Sequence, residues 1–272
     1  MRLTSRLKVY RVGCLINRNQ LKYLCAGGMV LDSLFFAFPG LFPVEFRLLS
    51  RYVAVLFAFF IAEGFIHTRN KRGYLLRLWS VGLIMEAGSV LSCFIFGPEK
   101  QIDDNIILTY AISATVLWLL DKANQNKNSG EQYFILAVLG IGLCFILGIE
   151  SFYISGFRVW IEGGPVVIGT ILIFYYIRDR KKAVIVFLIF DILLISFLNQ
   201  WRIPSNYASI SDWWYSVCRY SDTYAFLFLP FLGIYNGQPG SRKKFHKWFF
   251  YVFYPGHLWI LQIISALTFN PA

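Results

Sequence analysis

The sequence predicts an all-α polytopic membrane protein. Hydrophobic residues make up 57% of the 272 positions, aromatic residues 19% and charged residues only 15%. A soluble domain has about 45–50% apolar and about 25% charged residues. Apolar runs of about twenty residues, the length that crosses a bilayer core, recur along the whole chain. These observations leave no room for a large soluble domain.

The apolar runs predict about nine transmembrane helices. A basic cytoplasmic N-terminal segment (residues 1–21) precedes a single membrane domain (residues 22–267) and a short extracytoplasmic tail (residues 268–272). The predicted spans are Lys22–Phe38, Leu49–Ile66, Leu76–Phe96, Asn105–Leu120, Tyr133–Ile149, Gly164–Ile177, Ala183–Asn199, Ser221–Tyr235 and Trp248–Leu267. Ile154–Trp160 could add a half-helix in the membrane interface. The first helix is expected to be uncleaved, because no small-residue cleavage site follows Phe38.

Lys and Arg residues favour a cytoplasmic N-terminus in a multi-pass cell-membrane protein, because cytoplasmic loops collect positive charge. In this orientation only six of the 26 basic residues lie outside, namely Arg47, Arg51, Lys100, Arg158, Arg202 and Arg219. The net charge of +11 is therefore a topology signal that also attracts anionic lipid headgroups. It does not indicate nucleic-acid binding, because the basic residues are split among short segments. The five cysteines show no paired spacing, and neither a metal site nor a disulfide is inferred.

Ionisable residues inside the predicted spans are the first functional signal. They are Asp32, Glu63, Glu86, Asp191 and, beside Pro255 in the last span, His257. Such groups are costly in lipid and usually face a protein interior or a wet cavity. We expect the acids to converge on a polar interior with Arg51, His257 and Arg219. The alternatives are a histidine merely bonded between helices and, above all for Asp191, acids that pair with basic residues to lock helices together.

The depth of two of these residues can be estimated from the sequence. Asp32 follows Lys22 by ten positions and His257 follows Lys247 by ten. At ~1.5 Å per residue, both lie roughly 15 Å above the cytoplasmic surface, near the middle of the membrane. The first and last helices could therefore close one site.

Two separated motifs resemble the TraX family. One covers Leu49–Arg51, Phe57–Asn70, Tyr74–Leu78 and Glu86, and the other covers Leu232–Gly237, Gly240, Phe250–Tyr251 and Tyr254–Leu258. The resemblance spans about Leu21 to Leu261, with a looser middle. It implies a transmembrane-acyltransferase-like bundle, similar to the wider transmembrane acyltransferases, which pass acetyl groups from cytoplasmic acetyl-CoA to an acceptor amine or hydroxyl. A pilin, a glycan or a lipid could be that acceptor, and membrane lipid surrounds the bundle.

The resemblance also implies roles for particular residues. His257, Asp32, Ser33 and Glu63 would form the catalytic group, with His257 as the base and Asp32 orienting it. The CoA phosphates would contact Arg69, Lys71, Arg72 and Arg77.

One position departs from the family pattern. In the first helix the family usually has a histidine directly after the aspartate, whereas this chain has Ser33 after Asp32. That histidine is the expected general base, a role that serine cannot fill alone. Three alternatives stay open: His257 with Asp32 supplies the base, Ser33 becomes an acyl carrier activated by a neighbour, or the protein is inactive. The second needs two coincidences of geometry at once.

Two other functions compete with acyl transfer. A non-catalytic TraX-like protein could serve as a partner, scaffold or lipid-binding subunit. A secondary transporter could use the intramembrane acids, although the sequence shows no convincing inverted repeat.

Overall fold

The computed structural model describes residues 15–97, 101–102, 104–126, 128–154, 157–241 and 243–268. Most of the predicted N-terminal segment, residues 1–14, and of the predicted tail, residues 269–272, lies outside them. The helices are α1 (Arg18–Ala37), α2 (Glu45–Ser50), α3 (Tyr52–His67), α4 (Lys71–Phe96), α5 (Ile106–Gln125), α6 (Gly130–Ile149), α7 (Gly164–Tyr176), α8 (Arg180–Phe197), α9 (Ile210–Arg219), α10 (Leu229–Ile234) and α11 (Lys244–Thr268). A two-stranded hairpin, β1 (Phe152–Ile154) and β2 (Phe157–Val159), lies between α6 and α7.

Several helices of the described chain are suited to a membrane. Five are long and apolar enough to cross one: Glu45–His67, Lys71–Phe96, Ile106–Gln125, Gly130–Ile149 and Trp248–Thr268. Gly164–Tyr176 and Ala225–Ile234 are apolar but shorter. The all-α membrane class is therefore confirmed. The count of nine spans and the cytoplasmic N-terminus stay predictions.

Helix α1 begins four residues before the predicted start at Lys22. Its N-terminus is fixed by a capping box, in which the Asn17 side chain accepts from the Gln20 amide at 3.1 Å and the Gln20 side chain accepts from the Asn17 amide at 2.9 Å. These two bonds satisfy amide groups that a helix start otherwise leaves unpaired. The extra turn brings Arg18 into the membrane bundle.

The half-helix expected at Ile154–Trp160 is wrong. The chain there forms the antiparallel hairpin β1–β2, with Tyr153 paired to Arg158. Aromatic and β-branched residues on both sides of Ser155-Gly156 favour strands over a helix. The Gln101 side chain braces the hairpin by donating to the Arg158 carbonyl at 2.8 Å and accepting from its amide at 2.9 Å.

Helix α9 lies in the connection between α8 and α10 and was not predicted. Its sides differ sharply: Trp214 and Tyr215 are exposed, whereas Ser216 and Cys218 are buried. The Trp214 indole donates to the Glu45 carboxylate of α2 at 2.8 Å. Trp and Tyr side chains on one side of a short amphipathic helix are typical of the membrane–water interface.

Two glycines allow α6 and α7 to approach closely. A Cβ atom at Gly164 would lie 2.1 Å from the Cys144 carbonyl oxygen, and one at Gly148 would lie 2.7 Å from the Gly164 Cα atom. Small residues at such a crossing bring helix backbones together, which is how membrane helices gain packing energy.

Helices α1 and α11 run parallel and touch along their length. The Tyr23 hydroxyl lies 2.7 Å from Nδ1 of His246, and the Ser265 hydroxyl donates to the Ala37 carbonyl at 2.6 Å. Between these two contacts, Ser33 faces His257. The first and last helices therefore lie side by side at Ser33 and His257, whereas the depth of this contact in a membrane stays a prediction.

Candidate functional site

A cavity of about 280 Å³ lies between α1, α3, α5 and α11. The basic side chains Arg18, Lys22 and Lys243 line it near the start of α1 and α11, and Met29, Tyr110 and Phe253 line it further along. The cavity is thus cationic at the end where these helices begin and apolar towards their middle. This gradient suits a ligand with an anionic head and an uncharged tail.

Lys22 is held at the cavity by aromatic rings. Its Nζ atom lies 5.4 Å from the ring centre of Phe250 and 5.9 Å from those of Phe57 and Phe60. Among the described residues no carboxylate forms an ion pair with it. Ring faces attract a cation but do not neutralise it, so no carboxylate of the described residues competes with an anionic ligand for Lys22.

Ser33 and His257 face each other one helical turn beyond the cavity. The Ser33 hydroxyl donates to the Met29 carbonyl at 2.9 Å, and its oxygen lies 3.3 Å from Nε2 of His257. The other imidazole nitrogen, Nδ1, lies 2.9 Å from the Phe253 carbonyl oxygen. A carbonyl can only accept, so Nδ1 carries a proton and the neutral ring presents an unprotonated Nε2 to Ser33.

Asp32 does not orient His257. Its carboxylate accepts from Arg51 at 2.6 Å and from the Ser50 hydroxyl at 3.0 Å, and Arg47 lies at 3.8 Å. No hydrogen bond joins Asp32 to His257 among the described residues. Successive residues of a helix point about 100° apart, so α1 directs Ser33 at α11 and Asp32 at the α2–α3 junction. The predicted aspartate–histidine pair is therefore wrong in its geometry.

The same ion-pair group includes an acid that the sequence did not single out. Asp222, in the loop after α9, accepts from Arg47 at 2.7 Å and also from Arg51. Arg47 is further held by the Arg219 carbonyl oxygen, to which its Nε donates at 3.1 Å. These bonds tie α1, α2 and α9 together at one end of the bundle.

Glu63 lies at the opposite end of the bundle from Asp32. It accepts from Arg18 at 2.6 Å and from the Tyr235 hydroxyl at 3.1 and 3.2 Å. Since Tyr235 belongs to the chain segment after α10, this group joins α1, α3 and α10. Through these bonds Glu63 fixes the helices around the basic end of the cavity. Among the described residues it makes no hydrogen bond or ion pair with His257, so the geometry does not support a catalytic role.

The expected convergence of the intramembrane acids is also wrong. Glu86 accepts from the Asn105 side chain at 2.8 Å, and Asp191 accepts from the Phe226 amide at 2.9 Å. Each acid has local partners on a different part of the bundle. Asp191 therefore fixes the turn before α10 by accepting a hydrogen bond from a backbone amide. The alternative given by the sequence, an ion pair with a basic residue, is not what the structure shows.

The predicted CoA-binding residues lie at a second location. Arg69, Lys71 and Arg72 line an open cleft of about 340 Å³ with Asp121 and Lys122. Lys71 forms an ion pair with Asp121, whose other oxygen accepts from Tyr175 at 2.5 Å. Arg77 is not among the residues that line this cleft, and its guanidinium lies 6.0 Å from the Tyr74 ring centre. The structure thus brings three of the four together, but away from the cavity beside His257.

Glu162 is a partly buried acid that the sequence analysis missed because it lies in a loop between predicted spans. Its Oε2 atom is itself buried and has no hydrogen-bond partner among the described residues. Burial raises the pKa of Glu162 well above its ordinary value, and the nearby Asp104 and Asp32 raise it further. Its neutral form is therefore favoured beside the Asp32–Arg51 pair.

Comparison with known proteins places the chain in a family. The model of the family described as "TraX protein" matches residues 17–265. A curated protein of Dichelobacter nodosus, described as "Probable fimbrial assembly protein FimC, serogroup H1", is 28% identical over 258 residues, which cover 89% of this chain and 93% of that protein. No solved structure matches significantly. The resemblance seen in the two sequence motifs is thus confirmed, and the chain belongs to the TraX protein family.

Proposed function

We propose that this protein transfers an acetyl or related acyl group from acetyl-CoA to an amine or hydroxyl of the cell envelope. The observation that carries the proposal is the cavity, which begins at basic side chains and ends one turn from Ser33 and His257. The acceptor is a pilin-like protein, a glycan or a lipid. A pilin-like acceptor fits best, because the curated relative is described as a fimbrial assembly protein.

The charge pattern of the cavity supports an acyl-CoA donor. Phosphates bind well where several Lys and Arg side chains converge, and Arg18, Lys22 and Lys243 lie at the basic end. The apolar wall beyond them suits an uncharged arm that carries the acyl group. We therefore assign the donor phosphates to this end of the cavity, with the cleft at Arg69, Lys71 and Arg72 as the second possible location.

His257 supplies the base in this proposal. Its Nε2 atom is unprotonated in the neutral ring and lies 3.3 Å from the Ser33 hydroxyl oxygen. A general base typically contributes about 10²- to 10⁴-fold to a rate. The proposed N-terminus inside the cell puts the cavity mouth on the side where acetyl-CoA is made available.

The test uses the full chain in lipid nanodiscs with acetyl-CoA and an envelope extract as the acceptor. We expect thiol release and acceptor acetylation, both lowered about 100-fold or more by His257→Ala. The control is Ile260→Ala, which truncates an exposed side chain about one turn further along α11 and leaves the rates unchanged. Absence of both acetyl-CoA binding at millimolar concentration and thiol release would instead support a non-catalytic partner or scaffold.

A further inference from the structure

We propose that Ser33 carries the acyl group as a covalent ester during the reaction, with His257 as the base that activates it. This inference rests on the proposed acyl transfer and deepens it, because it adds an intermediate formed on the protein. It also explains how a chain with serine at the family's histidine position can remain active.

An activated serine needs a base within reach and a base that is correctly oriented. The first condition is met by the 3.3 Å separation between the Ser33 hydroxyl oxygen and Nε2 of His257, once the hydroxyl, which donates to the Met29 carbonyl at 2.9 Å, rotates towards that nitrogen. The second is met by the Phe253 carbonyl, which holds Nδ1 at 2.9 Å and so fixes the tautomer. In serine hydrolases a carboxylate does this work, whereas here a backbone carbonyl one turn back on α11 does it.

These two side chains lie one turn beyond the cavity, on the same helix faces as two residues that line it. Met29 lines the cavity and precedes Ser33 by four residues, and Phe253 lines it and precedes His257 by four. Residues four apart share one face of a helix. An acyl group that passes Met29 and Phe253 would next meet the Ser33 hydroxyl.

The surroundings protect the pair. Ser33 is 7% exposed, so bulk water has little access to an ester formed there. The neighbouring Asp32 is bonded to Arg51 and Ser50 and does not compete for the imidazole. The imidazole also stacks on the Phe253 ring, with 4.8 Å between ring centres, which restricts its rotation.

The chemistry is redox-neutral and balanced. The Ser33 oxygen attacks the thioester carbonyl carbon and its proton passes to Nε2 of His257. The carbon–sulfur bond then breaks, and the CoA sulfur takes that proton and departs as the free thiol. The acceptor amine or hydroxyl next attacks the ester, gives a proton to Nε2, and the carbon–oxygen bond to Ser33 breaks as the serine recovers the proton.

The experiment uses two probes on the full chain in nanodiscs. One is acetyl-CoA without acceptor, and the other is an alkyl fluorophosphonate, which reacts with activated serines and does not depend on a CoA site. After rapid quenching, peptide mass spectrometry locates any adduct. We expect both adducts on Ser33, none in Ser33→Ala, and labelling slowed about 100-fold or more in His257→Asn.

Matched variants separate a carrier from a residue that only positions His257. Ser33→Cys should give a thioester that neutral hydroxylamine cleaves, which a positioning residue would not form. Ser89→Ala removes a different buried serine, 2% exposed on α4, and should keep full labelling on Ser33. Size-exclusion profiles confirm that each variant is folded.

The outcomes distinguish this inference from the proposed function. Thiol release from acetyl-CoA with no adduct on Ser33 from either probe overturns the carrier and leaves acyl transfer in place. A His257-dependent fluorophosphonate adduct without acetylation by acetyl-CoA upholds the activated serine and overturns the donor. No adduct and no thiol release overturns both.

Discussion

Arg51 holds the carboxylate of Asp32 at 2.6 Å, on the side of α1 that faces away from His257. The side chains of this pair are 14% and 22% exposed. The pair therefore closes one end of the bundle, while the next residue of the chain, Ser33, is left to meet the histidine of α11. Of these two adjacent residues of α1, Asp32 stabilises the fold and Ser33 takes part in the proposed chemistry.

Removing Arg51 should destabilise the protein, because it leaves the largely buried carboxylate of Asp32 short of its nearest partner. We expect Arg51→Ala to lower the free energy of unfolding by about 3–5 kcal/mol, measured by SDS titration in mixed micelles. The double variant Asp32→Asn with Arg51→Ala should recover part of that loss. A double variant as unstable as the sum of the two single variants would contradict a direct pair.

The Glu63 group allows a graded test at the other end of the bundle. Tyr235→Phe removes one hydrogen bond to a charged acceptor and should cost about 1.5–3 kcal/mol in unfolding free energy. Arg18→Ala removes the only ion-pair partner that Glu63 has among the described residues and should cost more, about 3–5 kcal/mol. The reverse order, in the same SDS titration, would show that Glu63 depends mainly on the tyrosine.

Donor binding should depend more on the cavity than on the cleft. The double variant Lys22→Ala with Lys243→Ala should raise the KM for acetyl-CoA about tenfold or more, because two charged phosphate contacts are lost. Arg69→Ala with Arg72→Ala should have a smaller effect. Lys182→Ala, at an exposed cation on α8, controls for the general loss of positive charge. A larger effect of the Arg69→Ala and Arg72→Ala double variant would instead place the CoA phosphates at the cleft, as the family resemblance implies.

Glycines on α6 should differ in their tolerance of a methyl group. Gly148→Ala puts a Cβ atom 2.7 Å from the Cα atom of Gly164, and backbone cannot move aside cheaply. We expect a loss of about 1–3 kcal/mol in unfolding free energy. Gly142→Ala is the matched control, because its Cβ atom would have no heavy atom from another part of the described chain within 4 Å, and it should be neutral or slightly stabilising. Equal effects of the two changes would argue against close α6–α7 packing.

The proposed orientation can be tested with single cysteines. Cys25, Cys93, Cys144 and Cys218 are buried, so a membrane-impermeant maleimide should report mainly on introduced thiols once Cys14 is replaced by serine. Ser205→Cys, between α8 and α9, should react in intact cells. Ser241→Cys, before α11, should react only after permeabilisation. Labelling with the opposite pattern would invert the topology.

The fold was predictable in class because lipid demands long apolar helices, and their periodic runs are visible in the sequence. Helix starts depend on single side chains, as Asn17 shows for α1. The hairpin before α7 and helix α9 contain mixed apolar and polar residues. The length of an apolar run, which identifies a membrane helix, does not distinguish such segments from ordinary loops.

The contact between α1 and α11 was predictable from the sequence, but the residues that pair across it were not. Counting residues from Lys22 and Lys247 brought α1 and α11 together at the right level, and Ser33 does meet His257. Counting residues does not show which face of α1 turns towards α11. The sequence therefore pairs His257 with Asp32, whereas in the structure His257 contacts Ser33. Nor does counting show that Lys243 and Arg18 share a cavity, because that depends on the fold of the chain between them.

The Phe253 carbonyl that steadies His257 has a chemical consequence. A neutral dipole stabilises a protonated imidazole less than a carboxylate would, so this histidine should be a comparatively feeble proton acceptor. Such a centre selects acyl donors by their reactivity, so thioesters react with it while the much less reactive amides of the cell envelope do not.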